Sequence, residues 1–204
     1  AGPRSVTVGA SELATGTVAW TAPENIVSSN NTYATAALVA NTAENLRGSS
    51  LGFSIPAGAT IDGLVGEIEG KVLTGTGGSL AARWAKTLGG AEFTPTPATF
   101  TFTTTEAYYT IGSSTNLAGT TWTTSQINDS GFNLKVICPS AQTDTLSIDH
   151  LRVTIYYTEA PATKAFRRTL LGVGFCLHVL SLGLISCRPK QKVMSQTRCV
   201  RVGV

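Results

Sequence analysis

No aspartate or glutamate occurs after Glu159. The residues from 160 to 204 carry eight Lys/Arg and no acid, a net of +8. The residues from 1 to 159 carry seven Lys/Arg and twelve Asp/Glu, a net of −5. The chain therefore divides into an acidic body, 1–159, and a basic arm, 160–204. Such an arm suits an acidic partner: nucleic acid, an anionic membrane, or the body of a neighbouring copy.

Other scarcities exclude whole classes of function. Charged residues make up only 13% of the chain, about half the usual share of a soluble domain. Four cysteines stand at 138, 176, 187 and 199, none in C-x-x-C spacing, and His150 and His178 are the two histidines. That pattern supports neither a zinc site nor a disulfide framework, so reduced thiols are expected. No G-x-S-x-G elbow occurs. Asp62, Asp129 and Asp144 lie near turns, but no loop has the dense oxygen spacing of a calcium site. No metal, no cofactor and no enzyme activity are expected.

A membrane span is also disfavoured. The longest apolar run, Leu170 to Ile185, has 16 residues. As a helix it reaches about 24 Å, short of the ~30 Å hydrocarbon core. Gly172, Gly174 and Gly183 weaken a helix there, and His178 and Ser181 interrupt it.

What remains is a pattern of short strands. Thr, Ser, Ala and Gly fill the place of charge, and apolar alternation recurs between Gly/Pro/Asn punctuation. Leu51–Ile55 alternates large and small residues. Ile61–Val72 interleaves Glu67, Glu69 and Lys71 with Ile68 and Val72, which predicts a strand with one face in water. Thr74–Ser79 carries a hairpin-loop signal, and Leu80–Thr87 is read as the returning strand. Phe100–Thr103, Tyr108–Ile111, Gly131–Cys138 and Thr145–Tyr157 alternate as well. Trp122–Asn128 predicts one helical turn capped by Thr124 or Ser125. Ala34–Leu46 fits a strand or a short helix. The predicted fold is all-β, a β-sandwich or jelly roll with a C-terminal extended arm.

Several segments carry a resemblance. They are Ile55-Pro56-Ala57-Gly58-Ala59-Thr60-Ile61-Asp62-Gly63, Tyr109-Thr110-Ile111-Gly112, Leu117-Ala118-Gly119-Thr120-Thr121-Trp122-Thr123, Gln126 to Phe132, and Ile148 to Tyr157. Over about residues 50–158 the body resembles a β-sandwich domain of tailed-phage virion structural proteins, of decoration, tail or fibre type. The resemblance implies a virion component built on framework residues. It implies no catalytic residue, and it does not extend to the arm.

Within the arm, Leu171, Val173, Phe175, Leu177 and Val179 alternate with Gly172, Gly174, Cys176 and His178. That is period two, with a bulky and a small face. Such a strand suits addition to the sheet edge of another copy. Arg167, Arg168, Arg188 and Lys190 would steer it to an acidic body. Other copies of the chain and other virion proteins are thus the expected partners, in an extracellular particle. Nucleic acid fits less well, because the charges are spread and the arm offers little aromatic stacking surface.

The alternative is a carbohydrate-binding module. Trp84, between Arg83 and Lys86, is the candidate ligand platform, and Trp122 reads as core. A membrane-anchored surface protein is a third reading. Asp149-His150 is the one acid–histidine neighbour pair, but period two would send the two side chains to opposite faces, so no dyad is expected. Glu67 and Glu69 share a face and are read as solvated.

Overall fold

The structure, a computed structural model, describes residues 1–13 and 16–161. Ala1–Pro161 form one compact unit. The named arm residues, Arg167, Arg168, Leu171, Val173, Phe175, Leu177, Val179, Arg188 and Lys190, lie outside the described residues.

In chain order the strands are β1 Arg4–Ser5, β2 Val8–Glu12, β3 Ala34–Ala37, β4 Asn45–Ser49, β5 Thr60–Thr74, β6 Ser79–Ala85, β7 Glu92–Phe93, β8 Thr99–Thr101, β9 Ala107–Ser113, β10 Asn133–Ile137 and β11 Thr145–Thr158. Among the described residues, helical structure is limited to a 3-10 turn at Pro23–Ile26 and a single turn, α1, at Thr124–Asn128. The fold is all-β, as the sequence predicts.

Two antiparallel sheets make the sandwich. The first runs β1-β11-β5-β9, with β3 following β1 along the same side of β11. The second runs β2-β4-β10-β6-β7, with β8 also on β6. The period of two decides which side chains lie between them. From β5, Leu64, Ile68 and Val72 are buried; from β11, Leu146, Ile148, Leu151, Val153 and Ile155; from β10, Leu134 and Val136. A Cβ added at Gly66 on β5 would stand 3.0 Å from the Trp84 ring on β6, so the two sheets meet closely there.

Aromatic side chains fill the interior. Trp84 stacks on Phe132 at 5.9 Å and 13°. Trp122 meets the same ring edge-on at 5.5 Å and 77°. Such offset and edge-to-face pairs add to the area they bury.

Three local expectations need correction, and Ala34–Leu46, open between strand and short helix, takes the strand alternative. Thr74–Ser79 is not a hairpin, because β5 and β6 belong to different sheets. The segment arches across the sandwich, with Gly75 at φ 118 and Gly77 at φ 137, conformations open to glycine. Asp144 Oδ1 accepts from Thr76 N at 3.0 Å and pins that arch. Ala34–Leu46 forms no helix; it supplies β3 and the start of β4. Leu51–Ile55 pairs with no strand, although Leu51, Phe53 and Ile55 are buried as the alternation requires. The α1 cap is Thr123, one residue before the expected pair. Its side chain accepts from Gln126 N while the Gln126 side chain accepts from Thr123 N, a reciprocal capping box.

Candidate functional site

Trp84 is not a platform. It is fully buried at 0% exposure, because its place in β6 opposite Leu134 and Phe93 turns it inward. Trp122 is core, as expected, at 6%. Its indole N–H donates to Leu117 O at 3.0 Å. It borders an open hollow of about 430 Å³ lined by Ala59, Ile61, Leu117 and Thr123, none of which is charged.

Polar chemistry gathers instead on the outer face of the first sheet. On β5 the outward residues Glu67, Glu69 and Lys71 are only partly exposed. Each has neighbours on both sides. Glu67 stands between Arg152 and Thr110, and Glu69 between His150 and Tyr108. Cross-strand neighbours on one face lie close enough to bond directly.

The register on β11 is broken between Ile148 and His150. Ile148 and Leu151 both point into the core at 0% exposure, so two residues rather than one lie between consecutive inward positions. A bulge of this kind re-aims side chains. Asp149 and His150 consequently both serve the outer face, contrary to the period-two expectation. They still form no dyad. Asp149 accepts from the backbone N–H groups of Asn30 at 3.0 Å, Asn31 at 3.1 Å and Thr32 at 3.1 Å. His150 bonds elsewhere, through Nδ1 to the Tyr108 hydroxyl at 3.0 Å and through Nε2 to Ser5 Oγ at 2.8 Å.

Beside this row, Arg152 grips Glu67 with Nε at 2.9 Å and Nη2 at 2.8 Å, a bidentate pair. The same guanidinium lies 4.2 Å from the centre of the Tyr108 ring, a cation–π contact. Glu67 is therefore paired rather than freely solvated. At the other end, Lys71 Nζ reaches Tyr33 OH and Glu106 Oε2, each at 2.9 Å. Tyr33 donates to the same Glu106 oxygen at 2.6 Å.

The electrostatics follow from burial and these bonds. Burial holds the His150 imidazole below its usual range, against the opposing pull of the Glu69 charge. Burial, with the Glu69 carboxylate second, pushes the Tyr108 phenol up. Burial alone would raise Glu106, but its bonds to Tyr33 and Lys71 outweigh that and hold it below the usual carboxylate range. The Tyr33 and Glu106 bonds push Lys71 upward.

Carboxylate oxygens of Glu69, Glu106 and Asp149 lie within 4.8 Å of one another. A hard cation accepts such spacing. Here Lys71 already neutralises Glu106 and three N–H groups hold Asp149, so no metal is assigned. Of the three aspartates near turns, Asp129 accepts from Gly131 N at 2.7 Å, Asp144 from Thr76 N at 3.0 Å, and Asp62 from the Thr158 hydroxyl at 2.8 Å.

The second sheet has a smaller polar row. Lys135, 5% exposed at its side chain, lies between Glu12 at 2.8 Å and Glu92 at 3.1 Å, with Arg47 and Arg83 opposite on either side. Both acids serve to neutralise that buried ammonium, which makes this row structural.

No protein-family model matches the chain, and no curated protein does. Among solved structures, one similar chain is the CBM36-1 domain of a multidomain xylanase from the hindgut metagenome of Trinervitermes trinervoides. It is 15% identical, with 75% of this chain and 95% of that one covered and a TM-score of 0.39. A CBM4 structure is 12% identical, with 63% of this chain and 73% of that one covered and a TM-score of 0.38. Neither likeness assigns a ligand to this chain.

The sequence put Glu67, Glu69 and Lys71 on one face correctly. Ser5, Tyr33, Glu106, Tyr108 and Arg152 were missed as partners. They come from separate strands and loops, and no spacing in the chain signals their meeting.

Proposed function

We propose that the protein is a binding module, not an enzyme, that presents the outer face of the first sheet to a hydroxyl-rich polymer, a polysaccharide. The supporting observation is the stack of Arg152 over the Tyr108 ring at 4.2 Å. It sets a planar, partly exposed surface among fixed carboxylates, and sugars are held by apolar faces joined to directional polar groups. Tyr156 lengthens this surface along β11 and is 43% exposed. From the His150 row to Tyr156 is six residues, roughly 20 Å at the rise of a strand. That length suits a chain of several sugars. Ion pairs and hydrogen bonds hold most of these side chains in place beforehand, so little ordering remains to be done on binding.

Affinity electrophoresis against a panel of soluble polysaccharides tests this reading. Retardation by at least one polymer, lost in Tyr108→Ala and weakened in Tyr156→Ala, is the expected result. Unretarded migration across acidic and neutral polymers alike would sink it.

A second reading is a subunit of a virion-like assembly, and the split between a −5 body and a +8 arm supports it. In it, Leu171, Val173, Phe175, Leu177 and Val179 add to the sheet of another copy, steered by Arg167, Arg168, Arg188 and Lys190. Light scattering on the full chain and on residues 1–161, at low and high salt, separates the two readings. Assembly that needs the arm and weakens in salt supports the subunit. A monomeric full chain removes it.

A further inference from the structure

We propose that Ser5 is an activated nucleophile, with His150 as its base, open to covalent acylation by small activated esters. This inference needs no polysaccharide and stands apart from the binding reading.

Three strands remote in sequence build the arrangement. Ser5 comes from β1, His150 from β11 and Tyr108 from β9. Ser5 Oγ lies 2.8 Å from His150 Nε2, and Tyr108 OH lies 3.0 Å from Nδ1. A nucleophile bonded to a base, and that base held by a third group, is the geometry that raises a hydroxyl above its ordinary reactivity. Access divides the groups in the useful way. Ser5 is exposed, whereas His150 is buried at 6%. A reagent in water therefore meets the hydroxyl while the base stays shielded behind it.

The direction of the bonds follows from Glu69. It stands directly between His150 and Tyr108 in the strand register. Burial and a side-chain hydrogen bond to Glu69 raise the Tyr108 phenol, and a carboxylate accepts only, so the phenol proton is drawn toward it. The phenol oxygen then accepts from Nδ1–H. A neutral imidazole has one donor and one acceptor nitrogen, so Nε2 presents its lone pair to the Ser5 hydroxyl. Glu67, Glu69, Asp149 and Arg152 are the charged groups around the ring, and burial keeps the imidazole neutral among them. Tyr108 and Glu69 are positioning residues here.

The step balances. As Oγ attacks the carbonyl carbon, the O–H bond breaks and its proton passes to Nε2. The tetrahedral adduct collapses by breaking the bond to the leaving alcohol, which takes that proton from His150. The products are an ester on Ser5 and the free alcohol.

p-Nitrophenyl acetate is the probe, with released p-nitrophenol read by absorbance and the acetyl group located by peptide mapping. One equivalent of acetyl on Ser5 is expected, absent in Ser5→Ala. His150→Gln should slow labelling on the order of 100-fold, the usual scale of general-base help. Tyr108→Phe should move the pH at which the rate falls. In the unaltered protein the rate should level off above the titration of His150, and this arm needs no variant to fold. Labelling scattered over other hydroxyls and amines, or a rate that climbs with hydroxide through pH 9, overturns the proposal.

Discussion

Asp149 and His150 are adjacent in sequence and lie on the same side of their sheet. The β11 bulge brings this about, and it divides their tasks. Asp149 fastens the 30–32 loop, and His150 joins β1 to β9. One extra residue in one strand thus creates two separate polar anchors.

Asp149→Ala should destabilise the sandwich by about 3 kcal/mol, because it orphans the backbone donors of Asn30 and Asn31, which were bonded to a charged acceptor, and leaves Thr32 N–H only its bond to Asn30 Oδ1. Asp149 is 1% exposed, so water does not easily replace it. Urea unfolding measures the cost. Hydrogen exchange should show lost protection at Asn30 and Asn31, and less change at Thr32, which keeps its bond to Asn30 Oδ1. An unchanged midpoint would contradict the anchoring role.

Acid sensitivity should trace in part to His150. Its folded pKa lies below the ordinary 6.5, so the unfolded chain binds that proton first. Stability from this group is whole above pH 6.5 and is lost as pH falls through the lower folded value. His150→Gln should flatten the dependence of unfolding free energy on pH below 6.5. An equally steep profile in the variant would assign the acid sensitivity to other groups.

Phe132 is the hub of the aromatic interior, within 5.9 Å of Trp84 and 5.5 Å of Trp122. Phe132→Ala should cost about 3–5 kcal/mol. Phe132→Leu should cost clearly less, since most of the volume stays. Thermal unfolding of both variants checks the order, and equal losses would argue against a tightly packed centre.

Lys135 offers a test of buried charge. Replacing both Glu12 and Glu92 by glutamine leaves its ammonium unpaired and should destabilise by about 3–5 kcal/mol. Lys135→Met removes the charge itself and should cost much less. If the methionine variant proves the weaker of the two, the ion pairs contribute net stability.

Much of this protein was legible in its sequence. Alternation marked Ile61–Val72, Gly131–Cys138 and Thr145–Tyr157 as strands and chose their inward side chains, because the strand period is two and one face must leave water. The scarcity of charge and the absence of long amphipathic stretches set the all-β class. Other features needed the tertiary structure. Strand pairing is non-local, so only the folded sandwich decided that β5 and β6 part into different sheets and that Trp84 meets Phe132 instead of solvent. The bulge at Asp149 depends on how β11 fits β5, which no window of β11 alone encodes. Ser5, Tyr108 and His150 meet for the same reason: the contact is set by the register of strands more than forty residues apart, while spacing along one chain reports only what lies near in sequence.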